Sequence, residues 1–213
     1  MKKILVTTLL VLLLTPLRAN SFEWGNLFRW LFFGAEQTQT ITTDELNTTL
    51  KEIKTKNSEL DSTVEKAFLN VIPLLTTEKD AKTISTQIAT IKASSATDTE
   101  KDAQIVKLMS DYITTLKSNK VGIVLIIKTL KDSDKTVLKD EITKIVKAGT
   151  EYSNLRTKAI NAASKVSKDA DAEQVKIAEE INVLNNELKN KLSVVNNFST
   201  QVRVLSKLAG LNI

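Results

Sequence analysis

The chain of 213 residues contains no cysteine and no histidine. Without thiols it has no disulfide, no thiolate metal site and no cysteine nucleophile, so its stability must come from packing. Without imidazole it lacks the commonest general base and metal ligand. Glycine-rich phosphate loops and Gly-x-Ser-x-Gly elbows are also missing. The acid pairs Asp132/Asp134 and Asp169/Asp171 fall at expected turns and read as helix caps. We therefore expect no enzyme, no catalytic residue, no metal and no cofactor. Five glycines and two prolines leave few turn formers. With abundant Lys, Glu, Leu, Ile and Ala, that balance favours an all-helical protein.

No long apolar run is present either. The longest, Ile4–Leu14, is interrupted by Thr7 and Thr8 and is too short for a bilayer, which needs about 20 apolar residues. Lys2 and Lys3 precede it, Pro16 follows, and Leu17-Arg18-Ala19 offers a cleavage site, so residues 1–19 read as an export signal. The expected location is outside the cytoplasm: periplasmic, envelope-associated or secreted. Removing Lys2, Lys3 and Arg18 lowers the formal charge from +5 to +2. A chain so close to neutral, with acids and bases interspersed, gives no footprint for nucleic acid. It looks like solvated helix faces.

The remaining sequence is dominated by stripes at helical spacing. Thr42-Thr43-Asp44-Glu45 announces a capping box, followed by Leu46, Leu50, Ile53, Leu60, Val64, Ala67, Val71 and Leu74 in alternating steps of four and three, with Asn57 at one seam position. Pro73 ends or kinks this helix near Ile72. A second helix starts at Thr77 and carries Ala81, Ile84, Ile88 and Ile91. A third starts at the Thr97–Glu100 box, carries Val106, Met109, Ile113 and Leu116, and is expected to continue through Ile123, Ile127 and Leu130. A fourth follows Asp132-Ser133-Asp134 with Leu138, Ile142, Ile145, Gly149, Tyr152, Ala159, Ala163 and Val166, with a weak boundary at residues 168–171. The last stripe is Ile181, Leu184, Leu188, Val195, Phe198, Val202, Leu205 and Ala209, interrupted once by Lys191 and closed by Gly210. The expected fold is an elongated antiparallel helical bundle or coiled coil of four to five helices. Residues 1–19 would be the signal, 20–35 an aromatic amphipathic segment, and 36–213 the bundle domain.

Aromatics are scarce and unevenly placed. Six of ten, Phe22, Trp24, Phe28, Trp30, Phe32 and Phe33, lie in the 20–35 segment. With Leu27 and Leu31 they form a short helix-like stretch that cannot cross a bilayer but suits an interface. Either these rings plug the bundle end, or they dock on a protein partner or membrane surface. The seams already hold aliphatic residues in register with almost no aromatics, which favours docking. A second candidate is the run Val121, Gly122, Ile123, Val124, Leu125, Ile126 and Ile127, apolar around its circumference and flanked by Lys117, Lys120 and Lys128. It reads as a fully buried mid-bundle turn, as a concealed insertion segment, or as a short strand. Asn57 reads as a buried register-fixing amide or as a bundle-edge residue, both structural. Association into a homo-oligomer is compatible with such seams.

In outline, the chain is similar to two kinds of exported helical bundle. One is the α-helical pore-forming toxins, long bundles with a concealed apolar segment. The other is the minor pilus-type subunits of secretion apparatus. Both resemblances rest on architecture and carry no site residue.

Overall fold

A computed structural model describes residues 40–213, whose contacts group them as one unit. The expected export signal and the aromatic segment with Phe22–Phe33 lie outside the described residues. Six α-helices account for nearly all of the unit: α1 (Thr43–Val71), α2 (Glu78–Ala93), α3 (Asp98–Ser118), α4 (Lys120–Thr129), α5 (Asp132–Ala163) and α6 (Ala172–Leu208). There is no strand among the described residues.

Helix starts follow local chemistry. Thr42 and Thr97 each make the full capping box, hydroxyl to the third amide and glutamate back to the cap amide. Thr77 and Asp171 cap α2 and α6 through Asp80 N and Gln174 N. Pro73 closes α1 through a 3-10 turn over Ile72–Leu74. Gly210 (φ +85°) lies just past α6 and permits the Leu211 amide to bond the Ser206 carbonyl at 2.8 Å, a Schellman closure.

Three boundaries differ from the sequence reading. The expected third helix is two, α3 and α4, because Asn119 leaves helical geometry (φ −109°, ψ 39°) and restarts the chain at Lys120. The Asn119 side chain folds over Gly122, its amide oxygen 2.6 Å from where a Cβ would stand. The cap of α5 is Lys131, not an aspartate. Asp132 and Asp134 instead occupy the first turn, where carboxylates complement the helix dipole. Residues 164–171 are a true break, since α5 ends at Ala163 and Asp171 caps the next helix. Among the described residues the helix count is therefore six rather than four or five.

Side-chain pairs fix the helix directions. Asp61 meets Tyr152, Asn70 meets Glu141, and Lys158 pairs with Glu52, so α5 runs opposite to α1. Lys54 pairs with Glu180, and Asp61 and Asp102 with Lys191, so α1 runs parallel to α6. Asp102 lies beside Lys191 and Tyr112 beside Phe198, so α3 also runs with α6.

The core is aliphatic along α1, α5 and α6, where Leu46, Ile53, Leu138, Ile145, Ile181, Leu188, Val202 and Leu205 are almost fully enclosed. It also holds all four aromatics outside the N-terminal segment: Phe68, Tyr112, Tyr152 and Phe198. The expectation of almost ring-free seams is thus corrected. Phe68 stands edge-on to Phe198 and to Tyr112, with centroids 5.1 and 5.7 Å apart, the arrangement favoured by ring quadrupoles.

Candidate functional site

The two interruptions of the hydrophobic seams meet each other. Lys191, only 5 % exposed at the middle of α6, donates to Asn57 Oδ1 of α1 at 3.2 Å. Asn57 is buried (7 % exposed), so its reading as a bundle-edge residue is corrected. Lys191 Nζ also reaches Asp61 Oδ2 at 2.5 Å and Asp102 Oδ2 of α3 at 3.0 Å. An ammonium has three protons, and these acceptors use all three. The second oxygen of Asp61 accepts from the Tyr152 hydroxyl of α5 at 2.7 Å. Four helices are thereby tied at one level.

Each side chain is delivered by helix periodicity. Asn57 and Asp61 are four apart on α1 and project from the same face. Asp61 is not on the expected apolar list, and neither is Asp102. Both are ordinary acids in a charge-rich chain. Their partners lie 130 and 89 positions away, beyond the reach of any local pattern. The seam faults at Asn57 and Lys191 were the one signal that a polar junction existed.

Electrostatics set the junction apart from the surface pairs. Burial pushes the Asp61 carboxyl up from 3.8 to about 6, opposed by Lys191 and the Tyr152 hydrogen bond and assisted by Asp102. Burial, then the neighbouring Asp61 carboxylate, raises Tyr152 well above the usual phenol range. By contrast, Glu45 and Glu100 are held low by the amides and hydroxyls of their capping boxes, and Glu52 and Glu180 by Lys158 and Lys54.

A cavity of about 30 Å³ borders the junction, walled by Val64, Ile105, Met109 and Val195 besides the polar residues. Outside it a cleft of about 590 Å³ carries both signs of charge, including Lys54, Lys92 and Lys101 against Glu65, Asp98 and Glu187. Nothing in this lining selects a ligand of one charge. Lys191 has no spare donor, and no group of acids among the described residues could hold a metal ion. The arrangement is a saturated polar clamp. It joins α1, α3, α5 and α6 and leaves no donor of Lys191 for a ligand.

The second sequence candidate falls on α4. Of its residues, Ile123 and Ile127 are buried, Val124 and Ile126 partly so, and Val121 and Leu125 are 76 % and 58 % exposed. It is neither a strand nor a fully buried turn. With its partners confined to one side of the helix, an all-round apolar stretch must present apolar residues to solvent on the other. The first candidate, Phe22, Trp24, Leu27, Phe28, Trp30, Leu31, Phe32 and Phe33, lies outside the described residues. No described helix is long and apolar enough to cross a membrane. Comparison with protein families, with curated proteins and with solved structures finds no match for this chain.

Proposed function

We propose that the protein is an exported, non-enzymatic helical module that docks through its aromatic segment, Phe22–Phe33, on a protein partner or membrane surface. The observation carrying this reading is the completeness of the unit formed by residues 40–213. Its seams on α1, α5 and α6 are filled by mutually packed side chains from these helices, and its own rings fill the gap between α1, α3 and α6. A core whose seams are already filled from within gains little from six more aromatics. Six rings so close in sequence suit recognition, because Trp and Phe supply large anchor areas at low conformational cost. A long rigid helical unit is a suitable carrier for such an anchor.

Deleting residues 20–35 tests the reading. The truncated protein should keep its helicity and melting temperature while losing association with envelope membranes or envelope proteins. Trp24 and Trp30 are the only tryptophans, so the intact chain should show the red-shifted emission of wet indoles before docking and a blue shift after it. Unfolding of the truncated protein would make the segment core and end the proposal.

A further inference from the structure

The exposed face of α4 is the strongest feature that the aromatic-segment reading does not use. Val121, Leu125 and Lys128 are spaced i, i+4 and i+7, so they form one outward stripe on a ten-residue helix whose opposite face holds Ile123 and Ile127. From residue 112 to residue 131 the chain has four lysines, Lys117, Lys120, Lys128 and Lys131, and no acid. All four are exposed, and none forms an ion pair among the described residues. Residues 152–168 and 188–213 also hold four bases and no acid, but there Lys158 is paired with Glu52, and Lys191 with Asp61 and Asp102. The segment around α4 is thus locally cationic and apolar together.

We infer that α4 is a peripheral membrane-binding surface, which adsorbs on anionic lipid with the bundle intact. Charge complementarity selects the occupant: uncompensated lysines around an aliphatic stripe match an anionic headgroup layer over hydrocarbon. Lysine suits this surface because its stem lies along the apolar boundary while the ammonium reaches the headgroups. The exposed residues are aliphatic and stand out from a helix, whereas protein interfaces are anchored by aromatic and arginine side chains seated in pockets. At roughly 15 Å the helix is too short to span the hydrocarbon, so it lies along the surface. No opening of the bundle is required, since Val121 and Leu125 are already outside.

The test is co-sedimentation of the full chain with phosphatidylcholine vesicles, with and without phosphatidylglycerol, at low and high salt. The wild type should bind the anionic vesicles preferentially and lose binding at high salt. V121S/L125S, which alters only exposed positions, should lower partitioning about tenfold. K120E/K128E should lower it on the order of twenty-fold or more, at about fivefold per lysine lost. Circular dichroism should show both variants folded. Binding that is unchanged in both variants, or equal on neutral vesicles, overturns the inference. So does self-association in sedimentation velocity that V121S/L125S abolishes in place of lipid binding. Lipid binding lost on deletion of residues 20–35 yet indifferent to both α4 variants would also overturn it, while leaving the proposed role of the aromatic segment standing.

Discussion

Two layers of the same helical seam lie one heptad apart and are built from opposite chemistry. Lys191 and Asp61 define the first, and seven residues on along each helix Phe198 and Phe68 define the second. α3 contributes to both, with Asp102 and Tyr112. The ring layer stabilises by area and quadrupole geometry, and would tolerate any apolar partner of similar volume. The ionic layer must recover the desolvation of Lys191 and Asp61, so it contributes less net stability but accepts only one register. Sliding α6 by one heptad would set Lys191 among rings in one direction, or Phe198 among carboxylates in the other. The pair of layers therefore specifies alignment in a way that two aliphatic layers would not.

Substitutions in the two layers should separate these roles. Phe198→Ala should cost about 4 kcal/mol in urea unfolding through the cavity it leaves. Lys191→Met should cost nearly as much, about 3 kcal/mol, because the largely buried Asp61, and with it the half-exposed Asp102, loses its counter-charge. The distinction appears on compensation. Adding Asn57→Leu, Asp61→Leu and Asp102→Leu to Lys191→Met should regain most of that loss, whereas no neighbouring change restores Phe198→Ala. Failure of the all-apolar layer to regain stability would mean that the ionic layer is itself a main source of cohesion.

Proton linkage separates the layers next. The Asp61 carboxyl titrates near 6 in the folded chain against an ordinary 3.8, so the folded state binds the proton more tightly. Its contribution is then fully present below about pH 4 and lost as pH rises to about 6, on the order of 2–3 kcal/mol. The low carboxyls of Glu45, Glu52, Glu100 and Glu180 act in the opposite sense, adding stability above their usual range and losing it on acidification. Subtracting the pH–stability curve of Asp61→Asn from that of the wild type isolates the junction. The difference should fall between pH 4 and 6 and be flat above. A flat difference throughout would mean that Asp61 is as well solvated as a surface acid. The smallest effect belongs to Tyr152→Phe, which removes one hydrogen bond to a carboxylate and should cost about 1.5–2 kcal/mol without changing helix content.

Helix starts and ends were legible because they are local. Thr42, Thr97 and Gly210 carry their geometry in four or five consecutive residues. The same locality explains what was missed. Asn119 breaks α3 from α4 with no proline or glycine at the break itself. Phe68 escaped the heptad reading because it stands beside Ala67 on a face wider than the strict seam. Val121–Ile127 read as buried because composition reports apolarity but not how many sides of a helix have neighbours. Asn57 and Lys191 were each visible as faults. That one fault answers the other, across 134 positions, is tertiary information.

The parallel course of α1 and α6 has a mechanical consequence. The chain enters the unit beside the start of α6, where Gln174 donates to the Ile41 carbonyl, and leaves it past the far end of that helix. With 37 residues in α6, entry and exit are separated by roughly 55 Å along the helix axis. Tension applied between residue 40 and residue 213 would load the helices lengthwise, so that the lysine clamp and the ring layer resist together in shear. Such a unit bears a pull between its ends far better than one whose termini emerge side by side and peel apart one contact at a time.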